Sequence, residues 1–324
     1  MPQVSIIVPV YGVERYIERC AVSLFEQTYK NIEYIFVNDA TPDKSIELLE
    51  KVIARYPQRQ MNIKIIHHPL NKGISATRNT GLQAVTGDYI LYVDSDDYVA
   101  SNAVERLVES AIKNAADILL FDTYIVSTKG ISCDSVSYGT KVQYIKNLLQ
   151  HTAKCAHWNK FYQATFYKST NVFADERIRL ADDYAVTPRL VHQARKIAVL
   201  HEPLYFYETT NQSSYVHNLT RASIESQHLA DQILIEYFTS VQDADKYADV
   251  VSALSQRSMV SLIKNADRSS WQEIIDVYSD CLTKPASDGM SLVNRIIFKL
   301  AVGKHYHSLQ GFLYFYHIVM RIGS

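Results

Sequence analysis

A chain of 324 residues can bury a sizeable core and hold more than one domain, with one domain plus an appendage as the expected layout. Its 33 basic residues nearly cancel its 34 acidic ones, so no global basic field suits nucleic acid and any partner must be recognised locally. Cys20, Cys133, Cys155 and Cys281 are scattered without paired spacing. That argues against a zinc site or a disulfide framework and for reduced thiols in a cytoplasmic protein. Met1-Pro2-Gln3 runs straight into strand-like sequence, with no basic n-region or cleavage site, so no signal peptide is expected. No window has the length of a clean transmembrane span.

Residues 4 to 8 read as a short apolar strand, ended by Pro9-Val10-Tyr11-Gly12. From Glu14 to about Gln27, Val13, Ile17, Ala21, Leu24 and Phe25 recur at helical spacing, so one helix face packs on a sheet. Ile32 to Val37 is a second strand, closed by Asn38 to Asp43. Thr41 is a candidate N-cap there, with Pro42 at the first helical position of a helix that turns Ile46, Leu49, Val52 and Ile53 inward. Ile63 to Ile66 is the third strand, and Asn71 to Gly81 opens the next helix. Asp88 to Asp97 carries the fourth strand, an apolar run that discharges into three acids. Residues 101 to 114 are helical, and 117 to 121 form a fifth strand. Such regular alternation predicts a parallel doubly wound α/β sheet.

Parallel connectivity brings the carboxyl ends of these strands to one edge. Tyr11, Asp39, Arg78 with Asn79, and Asp94 to Asp97 all sit just past such ends or on the next helix's first turns. Residues distant in sequence therefore converge on one cleft. Asp94, Asp96 and Asp97 repel one another unless a hard divalent cation or solvent relieves them. The plain alternative is an acidic N-cap for the helix starting near Ser101.

From Val126 the pattern loosens into a hairpin-like patch over Gly130 to Gly139, followed by a helix over 142 to 149 and the aromatic cluster His157 to Tyr162. Asp182 and Asp183 lead a helical run; a short strand follows at 196 to 200, then Glu202-Pro-Leu-Tyr205-Phe-Tyr207. Beyond about Arg221 only helical patterns remain. After Asp288 the chain has no acid, while Arg295, Lys299, Lys304 and Arg321 lie among Phe312, Tyr314, Phe315 and other apolar residues. Such a tail suits an anionic membrane surface; its alternative is an ordinary packed helical hairpin.

Four motifs occur in order at sheet-end positions: Ser5-Ile-Ile-Val-Pro-Val-Tyr11, Val37-Asn-Asp-Ala-Thr-Pro-Asp43, Asn71-x-Gly73 with Ala76-Thr-Arg78-Asn79-x-Gly81, and Asp94-Ser-Asp96-Asp97. With them the first 125 or so residues resemble the family-2 nucleotide-sugar-dependent glycosyltransferases of the GT-A fold, of the non-processive bacterial type. The likeness extends more loosely through Trp158-Asn-Lys160, Asp182-Asp183 and Pro203-Leu-Tyr-Phe-Tyr207, covering about two thirds of the chain.

The resemblance implies a GT-A-type, mostly parallel sheet with residues 1–125 as the nucleotide-sugar half. Residues 126–220 would be a smaller acceptor-side lobe holding the catalytic base, and 221–324 a helical extension. It implies an inverting transfer of one sugar to a hydroxyl of a glycan or lipid-linked acceptor in bacterial surface-polysaccharide synthesis, with the enzyme cytoplasmic or peripheral on the inner face of the plasma membrane. Pro9 and Tyr11 would line the base pocket, and Asp39 would accept from the base, which favours UDP because uracil N3–H is a donor. Arg78 and Asn79 would lie near the nucleotide. Asp94 would approach the ribose or sugar, and Asp96, supported by Asp97 and with Asp94 beside it, would hold Mn2+ or Mg2+ on the diphosphate. Asp183 would be the base; Asp182 replaces the usual Glu, which leaves open which of the two points into the cleft. Trp158 and Lys160 would face the acceptor, Trp158 alternatively being a core anchor, and one acid of the pair could instead cap its helix. Asn38 stands where an acid is common and Glu208 where an Arg often follows the tyrosine.

The chemistry agrees with a transferase, because a metal on a departing diphosphate stabilises its charge without a proton donor, so one carboxylate base suffices. Competing readings are a metal-dependent phosphatase, a dinucleotide oxidoreductase, and a catalytically silent glycan- or membrane-binding module. The first places its Asp-x-Asp after the first strand; here it follows the fourth. The second needs a Gly-x-Gly-x-x-Gly that this chain lacks. Retention of Asp39, Asp96 and Asp183 together speaks against the third.

Overall fold

The computed structural model describes residues 1–211 and 219–322. Side chains of residues 317 and 319–322 lie outside that description, so of the basic tail over 290–324 the Arg321 side chain and the last two residues are not placed, nor are 212–218 of the expected acceptor-side lobe. Two compact units are present, Met1–Leu148 with Ala153–His217, and Leu149–Thr152 with Asn218–Ser324.

In the first unit β1 (Val4–Val10), α1 (Ile17–Phe25), β2 (Ile32–Asn38), α2 (Ser45–Ala54), β3 (Ile63–His67), α3 (Ile74–Ala84) and β4 (Tyr89–Tyr92) alternate as expected. They are followed by β5 (Tyr98–Val99), α4 (Ala103–Asn114), β6 (Ile118–Ser127), β7 (Gly130–Asp134), α5 (Lys141–Leu149), β8 (Lys160–Gln163), α6 (Ala164–Ser169), α7 (Asp182–Gln193) and β9 (Ile197–Glu208). All seven residues of β1 are buried, as a strand covered on both faces requires. Val4, Ile6 and Val8 join a core with Leu24 of α1, Leu49 of α2 and Leu107 of α4. Ile7 points the other way, onto α3. The helix can approach that closely because residue 81 is glycine: a Cβ there would lie 2.4 Å from Ile7 Cγ2.

The sheet order is β3-β2-β1-β4-β8-β6-β9-β5, with β7 hairpinned onto β6. β3, β2, β1 and β4 are mutually parallel, so the carboxyl ends of all four reach one edge. The sheet is not the uninterrupted parallel ladder that strand-helix alternation suggests. β8 runs antiparallel between β4 and β6, with Phe161 opposite both Leu91 and Leu119. No turn signal announced it, because its pairing is entirely long-range. The short strand expected at 196–200 runs on through Glu208 as one β9, and Pro203 is tolerated because it falls in the register shift between the Phe121–Leu200 and Thr123–Tyr205 pairs.

Thr41 does not cap α2, which starts at Ser45. The Asp43 carboxylate instead gathers the Thr41 hydroxyl (2.7 Å), the Ser45 N–H (3.1 Å) and the Ser45 hydroxyl (2.5 Å), a local turn that competes with earlier helix initiation. Likewise α4 begins after Asn102, so neither Asp96 nor Asp97 caps it.

The second unit is helical, with α8 (Arg221–Ser240), α9 (Ala248–Val251), α10 (Leu254–Asn265), α11 (Trp271–Val277), α12 (Ser279–Leu282), α13 (Leu292–Val302) and α14 (Tyr306–Ile322). A reciprocal capping box between Thr220 and Ser223 starts α8. Met259, Ile263, Trp271, Ile297, Phe298, Leu309 and Leu313 share its core. Asp231 is buried there against Ser258 Oγ (2.9 Å) and Tyr278 OH (2.9 Å), and burial pushes its carboxyl up to about 8. Among the described residues no helix is long and apolar enough to cross a membrane.

Candidate active site

The acidic turn follows β4, and each of its carboxylates has a different environment. Asp97 is buried, accepting the Tyr205 hydroxyl (2.6 Å) on one oxygen and the Glu208 N–H (2.7 Å) on the other. Burial first, then Asp96 and Asp94, raises its carboxyl well above the usual range. It locks the turn to β9. Tyr205 OH also accepts the Asp94 N–H at 3.1 Å. Asp94 takes Arg78 Nη2 at 3.0 Å. The Asp96 carboxylate accepts the Asn211 amide at 2.9 Å, and it is raised by burial, then by Asp94, with Glu208 adding to the effect. The turn therefore concentrates oxygen donors whose negative charge is only partly compensated, which fits a hard divalent cation held by Asp96 with Asp94 beside it.

Arg78 joins that turn to the second acidic pair. Its Nη1 reaches Asp182 Oδ2 at 2.5 Å and also Asp183 Oδ1, while Nη2 holds Asp94. Three carboxylates around one buried guanidinium keep it charged. Asp182, Asp183 and His157 bring ligand atoms within 4.8 Å of one another, but the guanidinium already supplies their cation. His157 stays neutral: burial, then Arg78, holds it down to about 3. The Asp182 side chain is 6% exposed and that of Asp183 is 23%, so Asp183 is the more exposed of the two. Burial raises the Asp183 carboxyl, Arg78 opposes that, and Asp94 adds to it. Both acids lie in the first turn of α7, where the helix dipole favours their charged forms. The residue before them, Ala181, is in the left-handed region at φ 71°, a strained conformation that turns the pair toward Arg78.

On the other side of the cleft Pro9 is buried near the end of β1. Its missing N–H falls on the side of β4, which has already ended at Tyr92. Tyr11 follows, 37% exposed, and the Gly12 N–H donates to Thr41 Oγ1 at 2.9 Å, tying the loops after β1 and β2 together. Asp39 is buried: Oδ1 accepts His68 Nδ1 (2.7 Å) and the Lys72 N–H (2.8 Å), Oδ2 accepts the Gly73 N–H (2.8 Å) and keeps one lone pair. Gly73 sits at φ 90°, which only glycine adopts without strain.

This arrangement of sheet edge, acidic turn and paired acids has counterparts in sequence and in structure. Residues 5–170 match the family described as "Glycosyl transferase family 2". The chain belongs to that family. The uncharacterized glycosyltransferase EpsJ of Bacillus subtilis is 37% identical over 215 residues, 64% of this chain and 61% of that protein. Poly(ribitol-phosphate) beta-N-acetylglucosaminyltransferase TarS of Staphylococcus aureus is 26% identical over 259 residues, 73% of this chain and 44% of that protein. The matches thus span less than two thirds of either relative. The crystal structure of S. aureus TarS 1-349 in complex with UDP-GlcNAc superposes with a TM-score of 0.75 at 18% identity, covering 97% of this chain and 91% of that one, a likeness of fold. Family membership sets aside the phosphatase and oxidoreductase readings.

Several residues singled out by the glycosyltransferase motifs are engaged by partners within the fold. Lys160 is fully buried, its ammonium held by Lys154 O (3.0 Å), Ala156 O (2.7 Å) and Asn159 Oδ1 (2.6 Å), and desolvation brings it down to about 8. It fixes the backbone before β8. Trp158 is 5% exposed, stacked against Tyr205 and Tyr207 with centroids 5.0 Å away in each case. That is the core-anchor alternative. Asn79 spends its amide on both the C=O (2.9 Å) and N–H (3.1 Å) of Ala174, so it pins the chain segment leading to Asp182. Other contributors were not assigned a role by the sequence. Tyr205 and Asn211 bond the acids from across the fold, the His157 ring stands 3.7 Å from Asp183 Oδ1, and Arg19 of α1 donates to Glu208 Oε2 (3.0 Å) and to the Asp96 carbonyl (2.9 Å). The unusual Glu208 was the one signal that pointed toward this last pair.

Proposed function

We propose that this chain transfers a single sugar from a nucleotide-sugar, a UDP-sugar foremost, to a hydroxyl of a glycan or lipid-linked acceptor in bacterial surface-polysaccharide synthesis, with inversion. The observation that carries this reading is the reach of Arg78: one guanidinium binds Asp94 of the donor-side turn and both acids of the candidate base pair. Donor and base are thereby held in one cleft. Residues 1–125 supply the donor side and 126–220 the base. The UDP-GlcNAc bound to the similarly folded TarS supports a UDP-sugar donor.

In this mechanism Tyr11 and the loops after β1 and β2 hold the nucleotide, the base N3–H donating to the free lone pair on Asp39 Oδ2. Asp96 and Asp94 would hold a divalent cation, which supplies charge stabilisation to the departing diphosphate. Asp183 removes the proton from the acceptor hydroxyl as that oxygen attacks the anomeric carbon from the face opposite the diphosphate. Burial suits it to the task, because a raised carboxyl is a stronger base than an exposed one.

Calorimetric titration of nucleoside diphosphates with and without Mn2+ tests the donor site. UDP is expected to bind only weakly without metal, and Asp96→Ala is expected to weaken metal-dependent binding by ten-fold or more. Absence of metal-dependent binding to any nucleotide would leave the silent-module reading in its place.

The tail over 290–324 supports a peripheral position on an anionic membrane. Ile297, Phe298, Leu309 and Leu313 bury one side of α13 and α14, while Tyr314 (72%) and Phe315 (66%) stay exposed, with Lys299 and Lys304 exposed as well. Because deletion would open the core, the test is Tyr314→Ser with Phe315→Ser. The double variant is expected to lose at least half of its co-sedimentation with phosphatidylglycerol vesicles, and equal binding by both proteins would remove the membrane from the proposal.

A further inference from the structure

Asp96 carries the proposed cation, yet the strongest cationic group at its own residue is not bonded to its carboxylate. Arg19 donates through Nη2 to the Asp96 carbonyl at 2.9 Å and through Nη1 to Glu208 Oε2 at 3.0 Å. Its guanidinium lies over the Tyr98 ring, 4.3 Å from the centroid, which fixes its plane. Glu208 is buried and equally constrained: its N–H donates to Asp97 (2.7 Å), and its other oxygen accepts the Thr210 N–H (3.1 Å) and hydroxyl (2.6 Å). Asn211, three residues on, holds the Asp96 carboxylate itself at 2.9 Å. The segment after β9 and the acidic turn are thus laced together, and the Arg19 fork spans the two.

Resting on the donor-site reading above, we infer that Arg19 and Glu208 are a charge-balancing pair that sets the affinity of the acidic turn for its divalent cation. Neither touches the reacting atoms; both are positioning residues. The pair holds one positive and one negative charge at fixed places beside Asp96, and a divalent cation on Asp96 feels each. Removing the positive member leaves a buried carboxylate uncompensated next to the site, which draws a cation more strongly. Removing the negative member leaves a guanidinium that repels one. A purely structural role predicts something else, since loss of either partner would loosen the same turn and weaken binding in both cases.

Mn2+ binding to the full chain, read by the electron paramagnetic resonance signal of the free ion, separates the two without any turnover. Arg19→Gln is expected to tighten Mn2+ by roughly five-fold, and Glu208→Gln to weaken it by a similar factor. Arg19→Lys, which keeps the charge, is expected to stay within two-fold of the wild type. Both effects should shrink in high salt. Weaker or unchanged binding by Arg19→Gln, in a variant that melts within a few degrees of the wild type, overturns the inference. So does unchanged binding by Glu208→Gln. A wild type that binds no Mn2+ overturns the metal reading of Asp96 as well, an outcome distinct from the other two.

Discussion

Replacing Arg78 by methionine is expected to destabilise the first unit by about 3–5 kcal/mol, measured as a fall in the midpoint of denaturant unfolding. Asp182 sits against this guanidinium with its side chain 6% exposed, Asp183 shares the same nitrogen, and Asp94 takes the other. Methionine fills much of the volume but leaves three clustered acids without a cation. The sign of the pH dependence follows. In the variant Asp183 loses the guanidinium that opposes its burial, so its carboxyl rises further above its unfolded value and favours the fold only while protonated, a contribution lost as pH rises. The deficit should therefore be largest near neutrality and shrink toward pH 5. Arg78→Lys should fall between the two proteins, because an ammonium retains the charge but cannot fork to acids on both sides. A variant as stable as the wild type at pH 7 would mean that the hub is not closed in solution.

Asp183→Asn is expected to lower kcat by about 10³-fold while leaving UDP affinity within two-fold, since an amide keeps the shape and cannot take the acceptor's proton. Steady-state transfer alongside calorimetry measures both. Asp182→Asn should instead lower stability first, its carboxylate being the buried one. The reverse pattern, with Asp182 controlling kcat and Asp183 dispensable, would exchange their roles. In the wild type the acid limb of kcat should lie above the ordinary carboxylate range, because burial outweighs the opposing Arg78. Activity is lost as pH falls through that raised value.

The residues that make the cleft were legible to very different degrees. Asp39, Arg78, Asp94 and Asp96 could be placed because strand-helix alternation fixes where each strand ends, and β1 to β4 are parallel neighbours whose ends meet at one edge. The Asp182-Asp183 pair is legible as a motif, but the motif does not tell which acid is the more exposed. That depends on Ala181 at φ 71°, a backbone conformation that local sequence does not announce for alanine. For Trp158 and Lys160 the sequence leaves an acceptor-facing and a buried reading side by side, and burial favours the second. An aromatic cluster with a charge inside it looks like a binding surface until the strands that cover it are known. β8 slots between β4 and β6, and its neighbours Tyr205 and Tyr207 close over the indole.

By itself the sequence determined the family, the α/β alternation and the sheet edge at which Asp39, Asp94 and Asp96 gather, because all three are written in local periodicity and in motifs shorter than a dozen residues. Only the tertiary structure decided how the charges are partnered. That Arg78 binds acids from two distant segments, that Asp97 is tied to β9, and that Arg19 meets Glu208 are contacts across 16 to 189 positions. No local rule reaches that far, since such pairs are set by which strands lie side by side and how deeply their ends are buried.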